Sequence, residues 1–147
     1  MAFVLLLLTY PYETLPHATV GRVVAVADGD TLTVLVDQQP IKIRLEGIDA
    51  PEKKQPHGQE SKQALSDMAF GRYVLVLWRE QDRYGRTLGH VLAPTWTNYQ
   101  LVSQGHAWHF KRYSDSEALA GAEQDARAAQ RGLWAGEPVA PWEWRKR

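Results

Sequence analysis

The sequence predicts an α+β domain: a five-stranded β-barrel of the OB type carrying about three helices. Three observations lead there. The first half of the chain consists of short alternating or β-branched runs separated by turn residues. One helical segment interrupts those strands, between the third and the fourth. The last third carries helical spacing with serine and threonine starts and glycine stops. Five strands with one helix after the third is the order of a small Greek-key barrel. A single helical interruption disfavours a parallel α/β sheet, which needs a crossover helix between successive strands.

Each element has its own signal. Val20 to Ala27 (VGRVVAVA) is β-branched and apolar, and Thr31 to Val36 (TLTVLV) alternates. Between them Asp28-Gly29 has the chemistry of a tight turn, since glycine tolerates positive φ and aspartate bonds its own backbone. A turn over Asp37-Gln38-Gln39-Pro40 leads into Ile41 to Leu45 (IKIRL), giving a three-stranded meander. After a polar loop with two prolines, Gln59 to Phe70 places Ala64, Leu65, Met68 and Ala69 at helical spacing and stops at Gly71. Tyr73 to Glu80 and Thr87 to Ala93 form a second hairpin around Gln81 to Arg86. Thr97-Asn98-Tyr99-Gln100 and Ser114-Asp115-Ser116-Glu117 both read as capping boxes. The second opens a helix with Ala118, Ala122, Ala126 and Ala129 on one face, ending at Arg131-Gly132, after which Leu133-Trp134 folds back on the core. The predicted domain spans 19–135, with 1–18 as a signal peptide or N-terminal extension and 136–147 as a tail, wrapped or flexible, that Trp142 and Trp144 can anchor.

Composition bounds the chemistry. The 147 residues, 44% of them apolar and 23% charged, are globular usage and enough for one core. The formal net charge is zero, so anions must be gripped by local clusters, not by bulk positive charge. No cysteine is present, which excludes disulfides, thiolate metal sites and a cysteine nucleophile. The apolar run Ala2 to Leu8 falls far short of the roughly 18 residues that span a bilayer. It fits a short signal-peptide core, and the expectation is a secreted or periplasmic protein, or a cytoplasmic one if the run is structural.

The chemistry-bearing residues gather at one rim. Asp30 opens the second strand and Arg44 lies near the end of the third, and antiparallel pairing through the Asp37 turn brings them level. Asp49 and Glu52 follow at once, and Arg86 sits in the second hairpin. Crowded carboxylates need a cation or arginines. Two carboxylates, a backbone carbonyl and water make the oxygen-only set that Ca2+ or Mg2+ prefers. The remaining carboxylate can take a proton from water, and two guanidiniums can hold a phosphate and match the charge that grows on attack. Such a kit hydrolyses phosphodiesters. An EF-hand reading of DGDTLTV fails, because the third acidic position, the glycine and the final glutamate are absent.

The motifs DGDTLTV, RLEGIDAPE, DRYGR, LVSQGHAW and ARAAQRGLW, in that order, resemble the staphylococcal-nuclease (thermonuclease) family across roughly Val20 to Trp134. The resemblance implies an OB barrel with three helices and Ca2+-dependent hydrolysis of DNA and RNA. It implies Asp30 and Asp49 as Ca2+ ligands, Arg44 and Arg86 on the scissile phosphate, and Glu52 as general base. Ala50 stands where the best-known member has threonine, so a metal role there is confined to its backbone carbonyl. Tyr84 and Tyr113 resemble tyrosines that contact the terminal phosphate.

Other features carry two readings each. Lys53, Lys54 and His57 can steer a polyanion or simply form a solvated loop. Lys111-Arg112-Tyr113 fits a strand-binding groove or a plain surface cluster. Of five histidines only His106 and His109 are close in sequence, and no three-ligand zinc set emerges. The expected protein is a monomeric nuclease with a nucleic-acid partner and no stable membrane association. A non-catalytic OB module that holds nucleic acid or protein is the alternative, and a partner-binding domain within a larger assembly a third possibility.

Overall fold

The computed structural model describes residues 15–147. The apolar run at 2–8 and most of the expected leader lie outside them. Seven strands and four helices follow in the order β1 (His17–Asp28), β2 (Thr31–Val36), β3 (Gln39–Leu45), β4 (Ile48–Asp49), α1 (Gly58–Ala69), β5 (Tyr73–Gln81), β6 (Thr87–Leu92), α2 (Thr97–Ser103), β7 (Trp108–His109), α3 (Glu117–Ala128) and α4 (Pro141–Trp144). A 3-10 turn, Gly132–Ala135, precedes α4.

Strands β1-β2-β3-β6-β5 close into a barrel. All neighbours are antiparallel except β3 and β6, which run parallel over Ile43↔Thr87, Arg44↔Leu88 and Leu45↔Gly89. Alternation sends Val23, Leu32, Val34, Ile43, Leu45, Val74, Val76 and Val91 inward, each at most 2% exposed. Burial of each such side chain contributes roughly 1.5–3 kcal/mol before chain entropy is counted. Leu65 of α1, Leu101 and Val102 of α2 and Leu119 of α3 join the same core. The closed barrel is the architecture that the strand order predicts.

Several details differ from the sequence reading. The β2–β3 turn is only Asp37-Gln38, both at positive φ (46° and 64°), the geometry of a tight primed turn. Gln39 and Pro40 already belong to β3, opposite Val36 and Leu35. Pro40 is tolerated there because the parallel neighbour pairs only from Ile43 onward, leaving its nitrogen on a free edge. Thr97 is not a cap: α2 begins after Trp96, with no side-chain cap, and Thr97 and Asn98 are buried inside it. The cap of α3 is Ser116, whose hydroxyl accepts the Leu119 N–H at 3.2 Å, two residues beyond the expected start. The inward face of α3 is Leu119, Ala122, Glu123 and Ala126, while Ala118 and Ala129 are exposed. The boundary expected at residue 18 falls inside β1, where His17 pairs with Trp78 and Ala18 with Leu77.

The tail is wrapped. The Trp142 ring lies parallel to Phe110 at 5.5 Å and edge-on to Trp108 at 6.2 Å. Pro141 at the first turn of α4 supplies a preset φ where no N–H is needed.

Candidate active site

Asp28-Gly29-Asp30 is more than a turn. The Asp28 carboxylate accepts the Asp30 N–H at 3.1 Å, an Asx bond that fixes the bend. A Cβ on Gly29 would stand 2.7 Å from the Ser61 Cβ and 2.8 Å from the Ala50 Cβ, so the bend is pressed between α1 and Ala50. That pressure buries Asp30 to 6% exposure. Its Oδ1 accepts the Thr31 hydroxyl at 3.1 Å and its Oδ2 the Ala50 N–H at 2.8 Å.

Arg44 faces this bend because the β2–β3 register places it opposite Thr31. Its Nη1 donates to the carbonyls of Leu45 (2.7 Å) and Ile48 (2.9 Å), and its Nη2 lies 3.2 Å from both Asp30 Oδ2 and Asp49 Oδ1. Asp49 sits on β4, which the sequence reading did not contain. The two-residue ladder of β4 with β7 sets Asp49 opposite Trp108, and the carboxylate is 1% exposed. Burial pushes the Asp49 carboxyl up, against the hydrogen bond from Arg145. Burial, and then the charge of Asp30, push Asp28 up to about 7.

Glu52 follows through the loop that Pro51 opens. Its N–H donates to Gln55 Oε1 at 3.0 Å, and its carbonyl accepts the Gln55 N–H at 2.9 Å. Gly58, first residue of α1, has no room for a Cβ against the Glu52 carbonyl, so α1 packs directly on this loop. The Glu52 side chain is 38% exposed and points at Arg145, whose Nη1 donates to Oε1 at 2.5 Å. The same guanidinium donates Nη2 to Asp49 Oδ2 at 2.6 Å, joining Glu52 to the buried aspartates.

Direct contacts thus bring together Asp30, Arg44, Asp49, Ala50 and Glu52. Arg86 stands at the entry of β6, two residues before Leu88, the partner of Arg44. Its Nε donates to Asp82 Oδ2 at 2.7 Å, so its guanidinium is held by its own hairpin, and none of its described contacts is to the cluster's carboxylates. Tyr84 is exposed in that hairpin, with the Arg86 guanidinium 5.6 Å from its ring centre. Tyr113 packs edge-on against Phe110 at 4.9 Å and lines a cavity of about 590 Å³ with Glu46, His90 and Trp96. None of its described contacts reaches the acid cluster. Lys53 and Lys54 are exposed beside Glu52.

Two members escaped the sequence reading. Asp28 looks like an ordinary turn residue until burial puts it against Asp30. Arg145 lies 96 residues from Asp49 in the chain. The signal that points to it is charge: Asp28, Asp30, Asp49 and Glu52 oppose a single guanidinium, Arg44, without it. Even with both arginines the site is short of one positive charge, or of two when Asp28 is ionised, and its ligating atoms are all oxygen. That combination fits a hard divalent cation. As the side chains stand, no group of three or more His, Asp and Glu among the described residues is arranged to hold a metal.

A closed barrel with carboxylates and arginines gathered at one rim holds the parts that phosphodiester hydrolysis needs. Residues 42–136 match the model of the staphylococcal nuclease homologue family, and the chain belongs to that family. It is 46% identical over 140 residues to Protein ParB of Escherichia coli, covering 86% of this chain and 78% of that one. It is 42% identical over 141 residues to a micrococcal nuclease of Shigella flexneri, covering 86% and 80%. An uncharacterized endonuclease of Escherichia coli O157:H7 matches at 43% over 130 residues, 86% of this chain and 85% of the relative. The chain is a nuclease, a hydrolase whose substrate is nucleic acid.

Proposed function

We propose that the chain is a monomeric, Ca2+-dependent phosphodiesterase that cuts DNA and RNA with little sequence preference. The observation that carries this reading is the contact of Asp30, Asp49, Ala50 and Glu52 with one another or with shared arginines on one face. Asp30 and Asp49, with the Ala50 carbonyl, are the residues that would hold the cation. When bound, it supplies positive charge to a phosphate oxygen and lowers the pKa of water.

The chain's own residues do the rest. Glu52 is partly exposed where Asp30 and Asp49 are buried, so it is the carboxylate that takes the proton of the attacking water. Arg44, on β3, and Arg86, in the turn that leads into β6, hold the phosphate and balance the charge that develops on it. Tyr84, exposed beside Arg86, would meet a neighbouring phosphate, a role it takes from the resemblance. Tyr113 is assigned the same role on resemblance alone. Backbone contact of this kind carries little base information, hence the weak sequence preference.

The test is cleavage of single- and double-stranded DNA and of RNA, with Ca2+ and with chelator. Activity must vanish in chelator and return with Ca2+; equal rates in both would remove the metal from the mechanism. Glu52→Gln is expected to lower kcat by about two to four orders of magnitude. A variant that keeps most of its rate would reassign the base.

A further inference from the structure

The feature that neither the family motifs nor the proposed mechanism uses is Arg145. Its guanidinium spans the two groups that the proposed function needs free. Nη2 is 2.6 Å from Asp49 Oδ2, while Nη1 is 3.3 Å from Asp49 Oδ1 and 2.5 Å from Glu52 Oε1. The placement is built, not incidental. Three residues earlier Trp142 is stacked on Phe110 and edge-on to Trp108, and Gln55, in the Glu52 loop, donates its amide to the Val139 carbonyl. The tail is therefore fastened to the barrel on one side and to the Glu52 loop on the other.

We propose that Arg145 is the resident counter-ion of the site, which a divalent cation must displace from Asp49 and Glu52 before it can seat. Rivalry follows from charge and geometry together. A guanidinium fork and a hard cation seek the same carboxylate oxygens, and they repel each other at this range. Arg145 is 42% exposed while Asp49 is 1% exposed. Its hold is thus on a buried partner from a solvent-facing position, a bridge between two carboxylates that is still open to release. The tail thereby sets the cation concentration at which the site fills, and it keeps Glu52 ion-paired until then.

This proposal rests on the metal-site reading above, and its test measures binding, not turnover. Ca2+ is titrated calorimetrically into the chelator-stripped full chain, with Asp49→Asn as the reference for loss of the site. Arg145→Gln is expected to bind Ca2+ about tenfold more tightly than the unaltered chain. Arg145→Lys should fall between the two, because it keeps the charge and loses the fork. Trp142→Ala, which undocks the tail without touching a ligand, should shift in the same direction as Arg145→Gln; near-UV circular dichroism verifies that each variant is folded. Unchanged or weaker binding in Arg145→Gln and Trp142→Ala overturns the counter-ion role, and weaker binding would make Arg145 a positioner of Asp49. If Asp49→Asn alone abolishes binding, that role fails while the metal site stands. If no form of the chain binds Ca2+, both fail.

Discussion

Asn98 shows how one residue holds this fold together. It is fully buried at the start of α2. Its side-chain oxygen accepts the Val91 N–H at 3.0 Å, and its amide donates to the carbonyls of Glu46 (2.9 Å) and Gly89 (3.2 Å). One side chain thus stitches the exit of β3 to β6, beside the strand that carries Arg44. Asn98→Ala would leave an amide and a carbonyl without partners, at a cost of about 2–3 kcal/mol. Urea unfolding should show the midpoint fall with an unchanged slope. In the sequence Asn98 looks like part of a capping box, because Thr-x-x-Gln is the pattern of a cap. Only the burial of Thr97 and Asn98 within the helix reveals the different role. Asp30, Arg44 and Asp49 were legible for the opposite reason: strand ends and turns are marked by local chemistry.

Among the elements, the join between α1 and the exit of α2 carries a pH-sensitive contact. His57, at φ 70° ahead of α1, and His106, just past Gly105, share a hydrogen bond of 3.0 Å between Nε2 and Nδ1 with their rings stacked. One ring must donate and the other accept, so the pair tolerates no proton on both facing nitrogens. Burial lowers the pKa of each, and in His106 the charge of His57 adds to this, while Glu60 pulls both back. The sign follows from linkage: folded values below the ordinary 6.5 mean that the unfolded chain binds protons more readily. The pair's contribution is therefore present above about pH 6.5 and is lost as pH falls below it. Melting temperatures from pH 8 to pH 5 should decline less steeply for His57→Asn, which retains a residue that accepts positive φ. An identical decline would show that other groups govern the acid limb. The sequence offered His106 and His109 as the neighbouring histidines; the true neighbours are 49 residues apart. The strand β4 was hidden for a related reason, since a two-residue ladder is too short to show a period.

At the scale of the molecule, the barrel was legible because its strands each carry a period of two and its inserted helix a period near 3.6. The tail was not, because Trp142 and Arg145 owe their places to partners in distant segments and to no repeating pattern of their own. The α3 cap was misplaced between two serines of Ser-Asp-Ser-Glu, since Ser114 serves elsewhere, its hydroxyl lying 3.1 Å from His109 Nε2. The parallel seam between β3 and β6 has a further consequence. Arg44 and Arg86 lie on opposite sides of it, in segments that are synthesised some forty residues apart, and the seam is only three residue pairs long. While the polypeptide is still leaving the ribosome, and until that zip has shut, neither arginine has its neighbour. On the proposed mechanism, a half-made chain therefore has only one of its two phosphate-holding guanidiniums in place.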